Sequence, residues 1–232
     1  MKTIVFIFLF GFISLVDLYS QKKTDISIKF NPIFENHQIP LEELLFYNSN
    51  KDSLIIESLR FYISNIKLLQ NNEVVYTIND GYYLLDLEYP ESMNITLSVP
   101  SNTLYNSINF GIGIDSATNS KGVFGGALDP TKGMYWTWQS GYINFKLEGI
   151  SDKCATRKNR FQYHLGGYQE PLNLYQEISL EIPSESKEIV IDVDISELVL
   201  NLDLENTNQI MSPNAEALKI AKLLPQIFKI KN

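Results

Sequence analysis

The stretch SINFGIGI, Ser107 to Ile114, alternates without a break: Ile108, Phe110, Ile112 and Ile114 fall on one side, and Ser107, Asn109 and two glycines on the other. A period of two is the mark of a strand with one dry face. The pattern recurs along the chain. DISIKF aligns Ile26, Ile28 and Phe30, and SMNITLSV aligns Met93, Ile95, Leu97 and Val99. YINFKLEG aligns Ile143, Phe145 and Leu147; EISLEI aligns Ile178, Leu180 and Ile182; EIVIDVDI aligns Ile189, Ile191, Val193 and Ile195. Turn signals punctuate these runs: QNNE (Gln70 to Glu73), NDG (Asn79 to Gly81), LDPTKG (Leu128 to Gly133) and PSES (Pro183 to Ser186). Short strands with such punctuation predict an all-β chain folded as a single β-sandwich-like domain.

One segment breaks the pattern. SPNAEALKIAKLL carries Ala217, Leu218, Ala221 and Leu224 at helical spacing. Ser212 is the expected N-cap, with Pro213 at the first helical position and Pro225 ending a short C-terminal helix. The glycine- and serine-rich stretch Gly113 to Pro130 reads as a long loop between two strands, and long loops in compact domains are often functional. No internal repeat, low-complexity segment or linker interrupts the chain.

The chain has 232 residues, enough for a sizeable core, and a net charge of −8. That balance argues against nucleic acid, whose phosphates want clustered Lys and Arg. The N-terminus reads as a secretory signal peptide over residues 1–20: a short positive start, an apolar run from Thr3 to Val16, then small Ser20. The run is too short for a comfortable membrane span, and no second hydrophobic segment is long enough to make one. The mature chain, 21–232, is therefore expected to be exported, periplasmic or secreted, without a membrane span. No cysteine stands near the cleavage point to take a lipid. Cys154 is the only cysteine, so an internal disulfide is ruled out, and its plain reading is a buried thiol.

Several chemistries lack their motifs. There is no H-E-x-x-H and no G-x-S-x-G, and the glycines at 111 and 113 are not followed by the third glycine of a dinucleotide loop. Asp192 and Asp194 share one strand face; the plain reading is a solvated edge, the sharper one a hydrolytic carboxylate pair.

The aromatic stretch GMYWTWQSGYINF, Gly133 to Phe145, holds both tryptophans of the chain. If MYWTWQSGY is extended, Met134, Trp136, Trp138 and Tyr142 share a face, with Tyr135, Thr137 and Gln139 opposite. The plain reading is core, since Met and indoles fill cores well. The functional reading is a soft site: thioether and imidazole both suit copper, and Met favours Cu(I). RFQYHLGGY adds a histidine. Phe161, Tyr163 and Leu165 alternate against Gln162 and His164, so His164 faces away from the apolar side just before Gly166 and Gly167. As a lone histidine it is either a hydrogen-bonded surface residue or a ligand.

The blocks SLRFYISNIKL, DGYYLLDLE, INFGIGID, ALDPTKGMYWTWQSGYINFKLEG, CATRKNRFQYHLGGY and IMSPNAEALKIA occur in the order that resembles the MbnP-like family of exported bacterial copper-binding proteins. The resemblance covers about Ile26 to Phe228, with DPTKGMYWTWQSGY its most specific part. It implies a β-rich, non-enzymatic protein that binds copper with histidine help; the soft donors on this chain make Cu(I) the expected form. It also implies that a tryptophan is converted to kynurenine beside the metal by a partner di-haem enzyme of the MbnH type. On this chain Trp136 or Trp138 would be the modified residue and His164 the best ligand. Met134, His37 and Cys154 are further candidate ligands. The chain departs from the family's pattern at one place. An F-x-H in the first strand is expected, and here FNPIF puts Pro32 where that histidine would stand. His37, five residues on, would replace it only by a loop that folds back. The competing reading is a metal-free β-sandwich interaction module, its aromatic stretch being core or a platform for a sugar or protein partner.

Overall fold

The computed structural model describes residues 22–231, apart from 49, 80 and 185. The signal-peptide reading of residues 1–20 lies outside the described residues. In chain order the principal strands are β1 (Lys23–Phe34), β2 (Asp52–Gln70), β3 (Tyr82–Asp86), β4 (Asn94–Pro100), β5 (Ser107–Ile112) and β6 (Tyr135–Trp136). Then follow β7 (Gly141–Ser151), β8 (Arg160–Gly166), β9 (Gln176–Glu181), β10 (Glu188–Asp194) and β11 (Phe228–Ile230). The short helices are α1 (Ser116–Asn119), α2 (Ile195–Val199) and α3 (Ala215–Ala221). Among the described residues no helix is long and apolar enough to cross a membrane.

Two sheets make a sandwich. The smaller one sets β1 between β10, which runs parallel to it, and β4, which runs antiparallel; β11 extends it beyond β10. The larger runs β9-β5-β2-β7-β8, with Gln209–Ile210 parallel at the far edge. Strand β2 is its spine. One edge pairs Leu54 to Phe61 with β7 and Ile63 to Leu69 with β5. The other edge takes Leu44–Tyr47, then β3, then Glu73–Thr77.

The alternating positions do what their period demands. Ile26, Ile28 and Phe30 of the small sheet and Phe61, Phe110 and Phe145 of the large one are all buried between the layers. Phe30 meets Phe110 edge-on at 5.6 Å and Phe61 at 6.3 Å, and Phe61 stacks on Phe145 at 5.8 Å. Such pairs add about 0.5–1.5 kcal/mol each beyond their buried area.

Three sequence expectations change. The C-terminal helix begins later than expected: Asn214, not Ser212, is its N-cap, with Oδ1 accepting from the amide of Ala217 at 2.8 Å. Pro213 lies before the cap, and α3 packs on β8. The stretch from Gly113 to Pro130 is not an open loop. It contains α1, capped by Asp115 through the amide of Thr118, and a 3-10 turn at Gly126–Leu128. The paired carboxylates hold structure: Asp192 accepts from Asn31 at 2.6 Å, and Asp194 caps α2 by accepting from the amide of Ser196 at 3.1 Å.

Candidate functional site

Residues 113–140 form a roof over the outer face of the large sheet. Beneath it lies a second, smaller core of Tyr62, Ile114, Leu128, Met134, Trp136, Tyr142 and Ile143. Tyr62 and Tyr142 reach up from β2 and β7, their hydroxyls donating to the carbonyls of Ala127 at 3.1 Å and Leu128 at 3.0 Å. The Tyr142 hydroxyl also accepts from the amide of Phe124 at 3.1 Å. Asn119 joins roof to sheet, accepting from the amide of Tyr142 and donating to the carbonyl of Ile114. At Asn144 a bulge in β7 turns a buried carboxamide toward Gly113, and its Oδ1 accepts from the amide of Ile114 at 3.1 Å. Gly113 has φ +105° and no room for a β-carbon, which would lie 2.3 Å from Asn144 Cγ.

The specific block of the sequence builds the end of this roof. Asp129 caps the turn Pro130–Lys132 by accepting from the amide of Thr131, and Gly133 leaves it in the left-handed region at φ +71°. Met134 is wholly buried. Tyr135 and Trp136 then pair back onto Tyr142 and Gly141, so the chain reverses through Thr137–Ser140. This corrects the single extended face. Met134, Trp136 and Tyr142 do go inward together, but Trp138 sits on the reversal and is 65% exposed. Ser140, with φ 52°, makes the reversal possible at a non-glycine position.

Trp136 is only 6% exposed. Its ring lies over Gly166, where a β-carbon would come within 2.8 Å of Cζ3. Its indole N–H is buried without an acceptor among the described residues. An unpaired buried donor costs about 1–3 kcal/mol. The Trp138 ring stands 5.9 Å away, tilted by 45°.

His164 stands two residues before Gly166 on the same strand, hence on the same side of the sheet. It faces away from the main core, as the alternation requires, yet is 6% exposed. Nε2 meets Glu148 Oε1 at 2.6 Å, and that oxygen also accepts from Gln162 at 3.1 Å, with Lys146 Nζ at 3.8 Å. The hydrogen bond from His164 is the largest of several influences that hold the Glu148 carboxyl at about 2 against its partial burial. Glu148 is therefore a carboxylate throughout the neutral range and fixes the ring's orientation. A carboxylate on one imidazole nitrogen is the arrangement that orients metal-binding histidines.

The other candidates lie elsewhere. His37 is exposed in the two-residue strand His37–Gln38, opposite Phe34 on the small sheet. Pro32 is on the same sheet, paired with Val193. Cys154 is 2% exposed within the main core, its thiol pushed up to about 11 by burial. A thiol so disfavoured as thiolate is a poor ligand at neutral pH. Among the described residues no three His, Cys, Asp or Glu side chains converge on one point. Of the candidate donors, the Met134 thioether shares the small core with Trp136, and the oriented His164 imidazole lies two residues from the glycine under its ring. They fit Cu(I) in kind. Glu148, Gln162 and Lys146 were not singled out from the sequence. Their polar alternation in KLE and QYH was visible, but their meeting depends on the register that sets Lys146 opposite His164 and Glu148 opposite Gln162.

The family model described as MbnP matches residues 23–212. Among solved structures, MbnP from Methylosinus trichosporium is similar, with a TM-score of 0.61 and 14% identity over 85% of this chain and 87% of that one. At that identity the likeness is one of fold. Nothing among the curated proteins matches.

Proposed function

The chain belongs to the MbnP family, and on that premise we propose that it is an exported, non-enzymatic protein that binds copper as Cu(I) beside Trp136. The observation that carries this reading is the line Trp136, Gly166, His164: a buried indole lying against a glycine, two residues along the strand from an imidazole already oriented by Glu148. His164 supplies a nitrogen donor, and Met134, in the core that holds Trp136, supplies a soft sulfur. Cys154 and His37 take no part. A bound Cu(I) would supply a redox-active soft cation at this position.

Of the two tryptophans, Trp136 is the one whose oxidation serves such a site. Conversion to kynurenine opens the pyrrole ring and leaves an aryl amine and a ketone, two groups that can bind metal or accept and donate hydrogen bonds. It also turns the unpaired indole N–H into an amine that can donate to the new ketone beside it. An MbnH-type di-haem enzyme is the partner this reading calls for.

The test is an anaerobic Cu(I) titration of the mature chain against a competing chelator. One equivalent should bind, and His164→Ala should weaken binding at least tenfold, about 1.4 kcal/mol. An unchanged affinity removes His164 from the site. A second reading rests on the exposed Trp138: a metal-free module that offers this indole to a partner. It is favoured if tryptophan emission is red-shifted, easily quenched and indifferent to copper.

A further inference from the structure

We propose that Trp138 is an electron-transfer contact, the surface group through which an outside one-electron oxidant withdraws electrons from Trp136. This rests on the reading that Trp136 is the residue oxidised. The two indoles differ in one decisive respect. Trp136 is 6% exposed and shut beneath the roof, so no redox centre of a partner can touch it; Trp138 is 65% exposed. Their ring centroids are 5.9 Å apart at 45°, close to contact. The fold has little use for an indole at 138. It leaves most of the largest side chain in water, and the residues around it on the reversal, Thr137, Gln139 and Ser140, are exposed as well. A large aromatic placed outward on a tight reversal suits a partner surface that must approach closely, as in the small contacts of electron-transfer pairs.

The step balances as follows. Trp138 gives one electron to the acceptor, a high-potential metal centre reduced by one unit, and becomes a cation radical. Trp136 gives one electron to Trp138 and restores it. Trp136 is left as a cation radical that keeps its indole proton, because the buried N–H has no acceptor among the described residues. The net change is one electron lost from Trp136, with Trp138 unchanged. The partner is thus recognised by chemistry: a one-electron acceptor of high potential, presented at a surface.

The test uses the copper-free mature chain and photogenerated ruthenium(III) tris-bipyridine in air, with oxygenated products located by peptide mass. In the wild type, products accumulate at Trp136. Trp138→Phe should lower their rate of formation by roughly an order of magnitude, whereas Trp138→Tyr, which keeps an oxidisable ring, should retain most of it. Both variants should keep the wild-type thermal midpoint, because the ring they change is exposed. Oxidation of Trp136 at the wild-type rate in Trp138→Phe overturns the proposal, as does product confined to Trp138 in the wild type. The underlying reading fails separately: protein from its own host whose Trp136 peptide shows no kynurenine would remove the modification and leave the photochemical path standing.

Discussion

The ring of Trp136 occupies the space in which a side chain at Gly166 would stand: a β-carbon there would lie 2.8 Å from Cζ3 and 2.5 Å from the carbonyl oxygen of Tyr142. The glycine is needed for close approach, and it lets the indole come against the strand that carries His164. Gly166→Ala should therefore cost about 2–3 kcal/mol, because the carbonyl cannot move aside as a side chain can. Urea unfolding followed by tryptophan emission measures this. A variant as stable as the wild type, with Trp136 still shielded, would show that the ring is not held there.

Glu148 makes stability depend on acid. Its folded value of about 2 lies below the ordinary glutamate range, because of the hydrogen bond from His164 first, with Lys146 and Gln162 assisting. A depressed carboxylate stabilises the fold above its unfolded value, roughly 4.3, and that contribution drains away as pH falls through the folded one. Glu148→Gln should lose about 1–2 kcal/mol at neutral pH. Between roughly pH 4.5 and pH 2 the variant and wild type should converge. Parallel stability curves across that window would mean the pair contributes nothing.

Cys154 should behave as an inert core group. It is 2% exposed with its thiol pushed up to about 11 by burial. An aromatic disulfide reagent should label it only at the rate of unfolding, and Cys154→Ser should bind Cu(I) as the wild type does. Rapid labelling of the folded chain, or lost copper affinity in the variant, would return the thiol to the list of ligands.

The roof hangs on tyrosine hydroxyls. Tyr142→Phe removes the bond to the carbonyl of Leu128 and leaves the amide of Phe124 without its acceptor. The expected cost is about 1–2 kcal/mol. Hydrogen exchange should speed up over residues 124–128 while amides of β2 stay protected. Uniform acceleration through the whole chain would show that roof and sandwich open as one unit.

The strands were legible because their burial follows a period of two, which is plain in DISIKF and EIVIDVDI; in SINFGIGI both faces are covered, and Ile114 leaves the side of Ile108, Phe110 and Ile112 for the smaller core. The aromatic stretch misled by the same logic. Alternation assumes an extended chain, and the reversal after Trp136 turns on Ser140, a residue whose positive φ nothing in its side chain announces. At the C-terminal helix two good caps flank Pro213, and only the bond from Ala217 to Asn214 decides between them. Among the residues of the candidate site, Trp136 and His164 could be read as chemistry along the chain. Glu148 could not, because its role arises from cross-strand register, a property of pairs of segments.

Strand β1 pairs in parallel with β10, so that Asn31 bonds Asp192 across 161 residues of sequence. The small sheet is thus closed by strands far apart in sequence, and β11 completes it only at Phe228–Ile230. A chain still being made holds β1 without its parallel neighbour until β10, 161 residues further on at the Asn31–Asp192 pair, has been released. Closing a loop of that length is entropically costly and slow. The small sheet would accordingly form late, and a polypeptide truncated before β10 should remain a substrate for proteases.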